Sequence, residues 1–169
     1  MTRLYLVRHG ETFDNERQIM QGQTQGELNP TGIRQAEALS VQLADVSFDA
    51  VIASDLWRSI QTARIVAAPH QLPVVTTPLL RERDWGSFTG RFIPDLKNVS
   101  PWPDDIESLP ALKERARQFL QYVRDTWPGQ TVLAVGHGIT NKAIQAVYWD
   151  KEMNEVEKMK NAEVRLLDI

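Results

Sequence analysis

Three histidines occur in this chain of 169 residues, and two of them share one setting. His9 and His137 each stand just past a short apolar run, Leu4–Val7 and Thr131–Val135, and each precedes a glycine, Gly10 or Gly138. A glycine there leaves room for an anion to approach the backbone and lets the turn take a positive φ. The pattern suits an oxyanion held between two imidazoles. Arg8 and Arg58 supply planar donor forks that match phosphate oxygens in pairs, which a lysine cannot do. Backbone N–H groups at the starts of the helices after Gly10 and Asp55 add further donors. Singly, each residue has a plainer reading: a structural histidine at a strand end, a surface pair in Arg81-Glu82, a solvated helix arginine in Arg58. Their joint placement is what argues for chemistry.

That placement follows from the elements. Leu4–Val7 reads as a first, buried strand, because strands buried on both faces are continuous apolar runs. Gln18–Gly26 has neither period and reads as a loop. Asn29-Pro30 offers an N-cap and a first-turn proline for a helix to about Ala44, with Ile33, Ala36, Ser40 and Leu43 on one face. Asp49–Ala53 is a second strand, and Ser54 or Asp55 caps a helix toward Ala68. Pro69 and Pro73 bracket its end. Val74–Thr77 reads as a third strand, and Pro78–Pro103 as a mixed segment. Pro110–Trp127 is amphipathic, with Leu112, Ala116, Phe119, Leu120 and Val123 on one side; Pro128-Gly129 ends it, and Glu107 and Ser108 cap its start. Ile139–Trp149 resumes helical spacing after the strand at Thr131, and Glu163–Ile169 adds a last strand. The alternation predicts a three-layer α/β/α sandwich with a mostly parallel sheet, in one domain spanning 1–169. In such sheets ligands bind beyond the carboxyl ends of the strands. Arg8-His9-Gly10, Ser54 to Arg58, Arg81-Glu82 and His137 all fall at that edge.

Composition narrows the options. With no cysteine, thiolate nucleophiles, disulfides and Cys-based zinc sites are excluded, which fits a cytoplasmic protein. The N-terminal apolar run is too short for a signal peptide or a membrane span. A net charge of −3 argues against a nucleic-acid partner, since counterion release needs a basic surface. Any bound anion must be held by a local cluster of cations. His70 follows Pro69 in a loop and has no catalytic part; Trp85, Trp102 and Trp127 read as packing residues, with Trp85 near enough to Glu82 to line an entrance.

Leu6-Val7-Arg8-His9-Gly10-Glu11-Thr12 resembles the signature of the histidine phosphatase superfamily, in its phosphoglycerate mutase-like branch. The likeness continues through Asn15, Gln21-Gly22, Leu28-Asn29-Pro30-Thr31-Gly32 and Gln35-Ala36. It includes Ser54-Asp55-Leu56 with Arg58 and Gln61-Thr62-Ala63, then Leu80-Arg81-Glu82 with Gly86 and Gly90, and finally Val135-Gly136-His137-Gly138. The resemblance implies a phosphate pocket of Arg8, His9, Arg58 and His137, with His9 as nucleophile, Glu82 as proton donor, and Asn15, Gln21 and Gly22 beside the substrate. Two departures bear on specificity. The stretch between Gly90 and Leu112 is short for the family, so the inserted lid of the mutases is not expected, and Asn141-Lys142 stand where an arginine is common.

The implied reaction is hydrolysis of a small phosphomonoester through a phosphohistidine on His9, with neither metal nor organic cofactor. His9 attacks through an unprotonated ring nitrogen while its other nitrogen is fixed, most simply on a backbone carbonyl. Arg8 and Arg58 lower its pKa, and a protonated His137 acts as a third cation. Three other readings stay open: a mutase passing phosphate between hydroxyls, a metal-dependent hydrolase using the histidines as ligands, and a silent phosphate-binding module. The physiological substrate and the oligomeric state are not written in the sequence.

Overall fold

A computed structural model describes residues 1–169. Five strands form one sheet in the order β3-β2-β4-β1-β5: β1 (Arg3–Arg8), β2 (Ala50–Ser54), β3 (Val74–Thr77), β4 (Thr131–Gly136) and β5 (Val164–Asp168). The first four run parallel, and β5 lies antiparallel along β1. The helices are α1 (Phe13–Glu16), α2 (Pro30–Gln42), α3 (Trp57–Ala67), α4 (Leu109–Thr126) and α5 (Gly138–Trp149).

Side chains alternate across a strand, and here each face meets its own pair of helices. Leu4, Leu6, Ile52, Val132 and Ala134 pack under Leu112, Phe119 and Leu120 of α4 and Ile144 of α5. Val7, Val51, Ala53, Leu133 and Val135 pack under Leu39 of α2 and Ala63 and Val66 of α3. The result is the three-layer α/β/α arrangement with a largely parallel sheet. No helix is long and apolar enough to cross a membrane.

The caps explain several boundaries. The Asn29 side chain accepts from Gly32 N and Pro30 opens α2, as expected. Helix α1 was not foreseen; Thr12 and Asn15 make a reciprocal capping box that holds its single turn. Neither Ser54 nor Asp55 caps α3, whose N-cap is Leu56. Ser54 is engaged with His137, and Asp55 is bound bidentately by Arg81 through two contacts of 2.7 Å. Ser108 does cap α4, accepting from Ala111 N, but Glu107 turns away to pair with Arg115 at 2.8 Å.

The segment after β3 is a strap of short 3₁₀ turns at Pro78–Leu80, Gly86–Phe88 and Ile93–Leu96. It is joined to the 18–26 loop by Gly90 N donating to Met20 O, Met20 N to Arg91 O and Ile93 N to Gln18 O. A small core of Trp85, Phe88 and Leu96 lies beneath it. Trp102 packs edge-on against Trp85 and Phe88. Trp127 packs on Tyr122, and His70 on Phe48, both remote from the strap.

Candidate active site

The register of the two central strands builds the site. Arg8 pairs with Gly136, so the next residues, His9 and His137, leave the sheet side by side. Their ring centroids are 5.1 Å apart, the separation of touching rings. At that separation the rings are in contact and leave no space between their faces for the anion that the sequence places there. His9 lines a cavity of about 170 Å³ with Arg8, Asn15, Gln21, Gly22, Arg58 and Glu82. His137 is fully buried beside His9.

His9 is 2% exposed, and its Nδ1 is 2.6 Å from Gly10 O. A carbonyl only accepts, so Nδ1 carries the proton and Nε2 keeps its lone pair. Burial, Arg58 and Arg8 together hold the His9 pKa well below the usual histidine value. Gly10 N in turn donates to Thr62 Oγ1, whose hydroxyl donates to Arg58 O, so α3 fixes the turn that carries His9.

His137 Nε2 is 2.7 Å from Ser54 Oγ, and its Nδ1 has no partner. Burial, then Arg58, His9 and Arg8, push its pKa well down. In the free protein its charged neighbours are cations, and they oppose a further charge on the ring.

The arginines are more constrained than the fork argument supposed. Arg58, 1% exposed, spends Nη1 on the carbonyls of Thr24 and Gln25 and Nη2 on Gly22 O at 2.7 Å. It ties down the loop that borders the cavity, and only Nε is wholly unpartnered. Burial pulls its pKa down to about 10, still far above neutrality. Arg8 likewise gives Nη1 to Met159 O and keeps Nε unpartnered. The helix starts expected to offer free N–H groups are also taken, Trp57 N and Arg58 N by Gln25 and Asn15 N by Thr12. Nor do the glycines flanking the histidines have positive φ. A Cβ on Gly10 would lie 2.6 Å from Gly32 O, and one on Gly138 would lie 2.6 Å from Lys158 Cε. Backbone closes the Gly10 position to a side chain, whereas at Gly138 the nearest atom is the far end of a flexible lysine.

Glu82 is the only carboxylate on the cavity wall. Its Oε2 accepts from Ile139 N, and its Oε1 from Thr140 N and Arg83 N, so it closes the N-terminus of α5. Arg115 reaches across from α4 to the carbonyls of Leu79 and Arg81, with Glu107 bracing its other edge. The backbone that carries Glu82 is thereby clamped. Asn15 Oδ1 accepts from Thr12 N, and Gln21 Oε1 from Thr12 Oγ1. Trp85 does line the cavity, with Ile19, Met20, Ile93 and Ile139.

Sequence reasoning missed Lys158, which also lines the cavity, and the loop around it. Ala162 N donates to the carbonyls of Arg8 and His9, and Asn161 Nδ2 donates to His9 O. It missed the Arg115 clamp as well. Neither residue follows a period or motif; the one available signal was that the last strand must return past β1. Nowhere do three or more His, Asp or Glu side chains gather as a metal site requires.

Residues 4–169 match the histidine phosphatase superfamily (branch 1). The chain is 37% identical over 148 residues to the uncharacterized phosphatase PhoE of Bacillus subtilis (strain 168), covering 85% of this chain and 76% of that protein. It is 35% identical over 148 residues to the adenosylcobalamin/alpha-ribazole phosphatase of Escherichia coli (strain K12), covering 80% of this chain and 73% of that one. The solved structure of a mycobacterial glucosyl-3-phosphoglycerate phosphatase with VO3 superposes with a TM-score of 0.91 at 26% identity, over 98% of this chain and 92% of that one. Strand register, paired histidines and sequence likeness agree, and the chain belongs to the histidine phosphatase superfamily.

Proposed function

We propose that the protein hydrolyses a small phosphomonoester in two steps through a phosphohistidine on His9. The observation that carries this reading is the Nδ1–H to Gly10 O bond, which leaves the Nε2 lone pair of a neutral ring beside a cavity lined by two guanidinium groups. In the first step Nε2 attacks phosphorus, the P–O bond breaks, and the leaving oxygen takes a proton from the Glu82 carboxyl group. The positive charge gained by the ring is met by the Gly10 carbonyl. In the second step water attacks phosphorus, gives its proton back to Glu82, and the P–N bond breaks. Arg8 Nε and Arg58 Nε, with Nδ1–H of His137 when Ser54 donates to Nε2, stabilise the phosphoryl oxygens, the main requirement of this chemistry. Asn15, Gln21 and Gly22 border the substrate. The phosphatase relatives, each named for a different substrate or none, support hydrolysis over transfer.

The test is a set of kinetic and trapping measurements on an aryl and an alkyl phosphate. Wild-type protein quenched in alkali should carry phosphate on His9, and His9→Ala should lose both the adduct and the activity. Glu82→Gln should slow the alkyl ester far more than the aryl ester, because only the poorer leaving group depends on the proton. Full activity in His9→Ala ends the proposal, and an isomerised bisphosphate without free phosphate would make the enzyme a mutase.

A further inference from the structure

The cavity wall carries three cations, Arg8, Arg58 and Lys158, and one acid, Glu82. Once Glu82 holds the proton it must deliver, a phosphate dianion balances two of the three. By that count one cation is left over. The three non-bridging oxygens of the phosphoryl group are matched in number by three buried, unpartnered nitrogens around His9, namely Arg8 Nε, Arg58 Nε and His137 Nδ1. Lys158 differs from these. Its side chain is exposed overall, it borders the cavity, and it makes no ion pair within the protein. Burial of part of the side chain, and then Arg8, lower its pKa. The stem runs over Gly138, where a Cβ would come within 2.6 Å of Cε, so the backbone there is bare where the lysine crosses it.

The rest of the cavity wall is mostly apolar, with Ile19, Met20, Trp85, Ile93 and Ile139 beside the uncharged polar Asn15 and Gln21. The geometry points to Lys158 as the residue that reads a second anionic group, carboxylate or phosphate, on the alcohol that leaves. The substrate class is then a phosphomonoester whose carbon body lies against the apolar wall and whose second charge reaches the mouth. This rests on the hydrolytic reading of the same site.

Phenyl phosphate and 3-carboxyphenyl phosphate make a matched pair, since a carboxylate changes the leaving ability of a phenol little. In wild-type protein kcat/KM should favour the carboxylated ester, mostly through KM. In Lys158→Met that preference should fall about fivefold, the scale of one partly exposed ion pair, and Lys158→Arg should restore most of it. Adding 1,3-phenylene bisphosphate shows whether a second phosphate is read better than a carboxylate. An unchanged preference ratio, or equal losses on both esters, overturns the inference by assigning Lys158 to the phosphoryl group or to nothing. Calorimetric binding of phenylphosphonate and 3-carboxyphenylphosphonate asks the same question without turnover. Failure of hydrolysis and failure of the lysine's role are thus read separately.

Discussion

His9 and Glu82 border one cavity but are held by opposite means. His9 follows a central strand, its place set by the pairing of Arg8 with Gly136 and its ring fixed on the adjacent carbonyl. Glu82 follows an edge strand of four residues and a 3₁₀ turn, and it stays put through amides of α5 and a guanidinium from α4. His9, the proposed nucleophile, inherits its position from the sheet, whereas Glu82, the proposed acid, has its position assembled from partners on α4 and α5, 33 to 58 residues away in sequence. Injury on the first side should impair every substrate, and injury on the second only those that need a proton.

The hardest break of this contrast is Arg58→Met. It removes a cation beside His9 and frees the 22–25 loop, and kcat/KM should fall by about 10²–10³ for aryl and alkyl phosphates alike; a loss confined to one ester would blur the two sides. Arg115→Met acts on the acid side. We expect kcat on an alkyl phosphate to drop about tenfold, a fraction of what a general acid contributes, with an aryl phosphate much less affected in the same steady-state assay. Equal losses would mean that the clamp supports the whole site.

Acidity gives the mildest probe. The His9 and His137 pKa values are depressed in the folded protein, so both rings are neutral above about pH 6.5 in folded and unfolded chains, and neither contributes to stability there. Below that pH the unfolded chain takes up protons that the folded one refuses. Stability should fall as pH drops from about 6.5 toward the depressed values, by up to about 1.4 kcal/mol per pH unit for each ring, measurable by urea unfolding at a series of pH values. The acid limb of kcat/KM should likewise lie below 6.5, and Arg8→Met should move it upward, because one of the charges opposing protonation is gone.

The same contrast separates what could be read in the residue string from what could not. The His9 and His137 side was legible because each follows a buried apolar strand that local pattern reveals, and the sheet then carries the two strand ends together. The apolar stripe of α4 and the Asn29-Pro30 start of α2 were legible for the same reason. What escaped reading depends on distant partners. Ser54 serves His137 instead of capping a helix, Glu107 braces Arg115, and Gly10 is small because the backbone of Gly32 crosses it. Each choice is decided by a neighbour more than seven residues away, and no propensity of the residue itself selects it. Lys158 was the extreme case, a cavity residue on a loop with no pattern.

That loop carries one more consequence. The carbonyl of His9 and the guanidinium of Arg8 are secured by Asn161 and Met159, 152 and 151 residues later in the chain, and β1 lies between two strands translated long after it. The turn after β1 therefore receives its last supports only when the segment around Met159 and Asn161 has folded back along it.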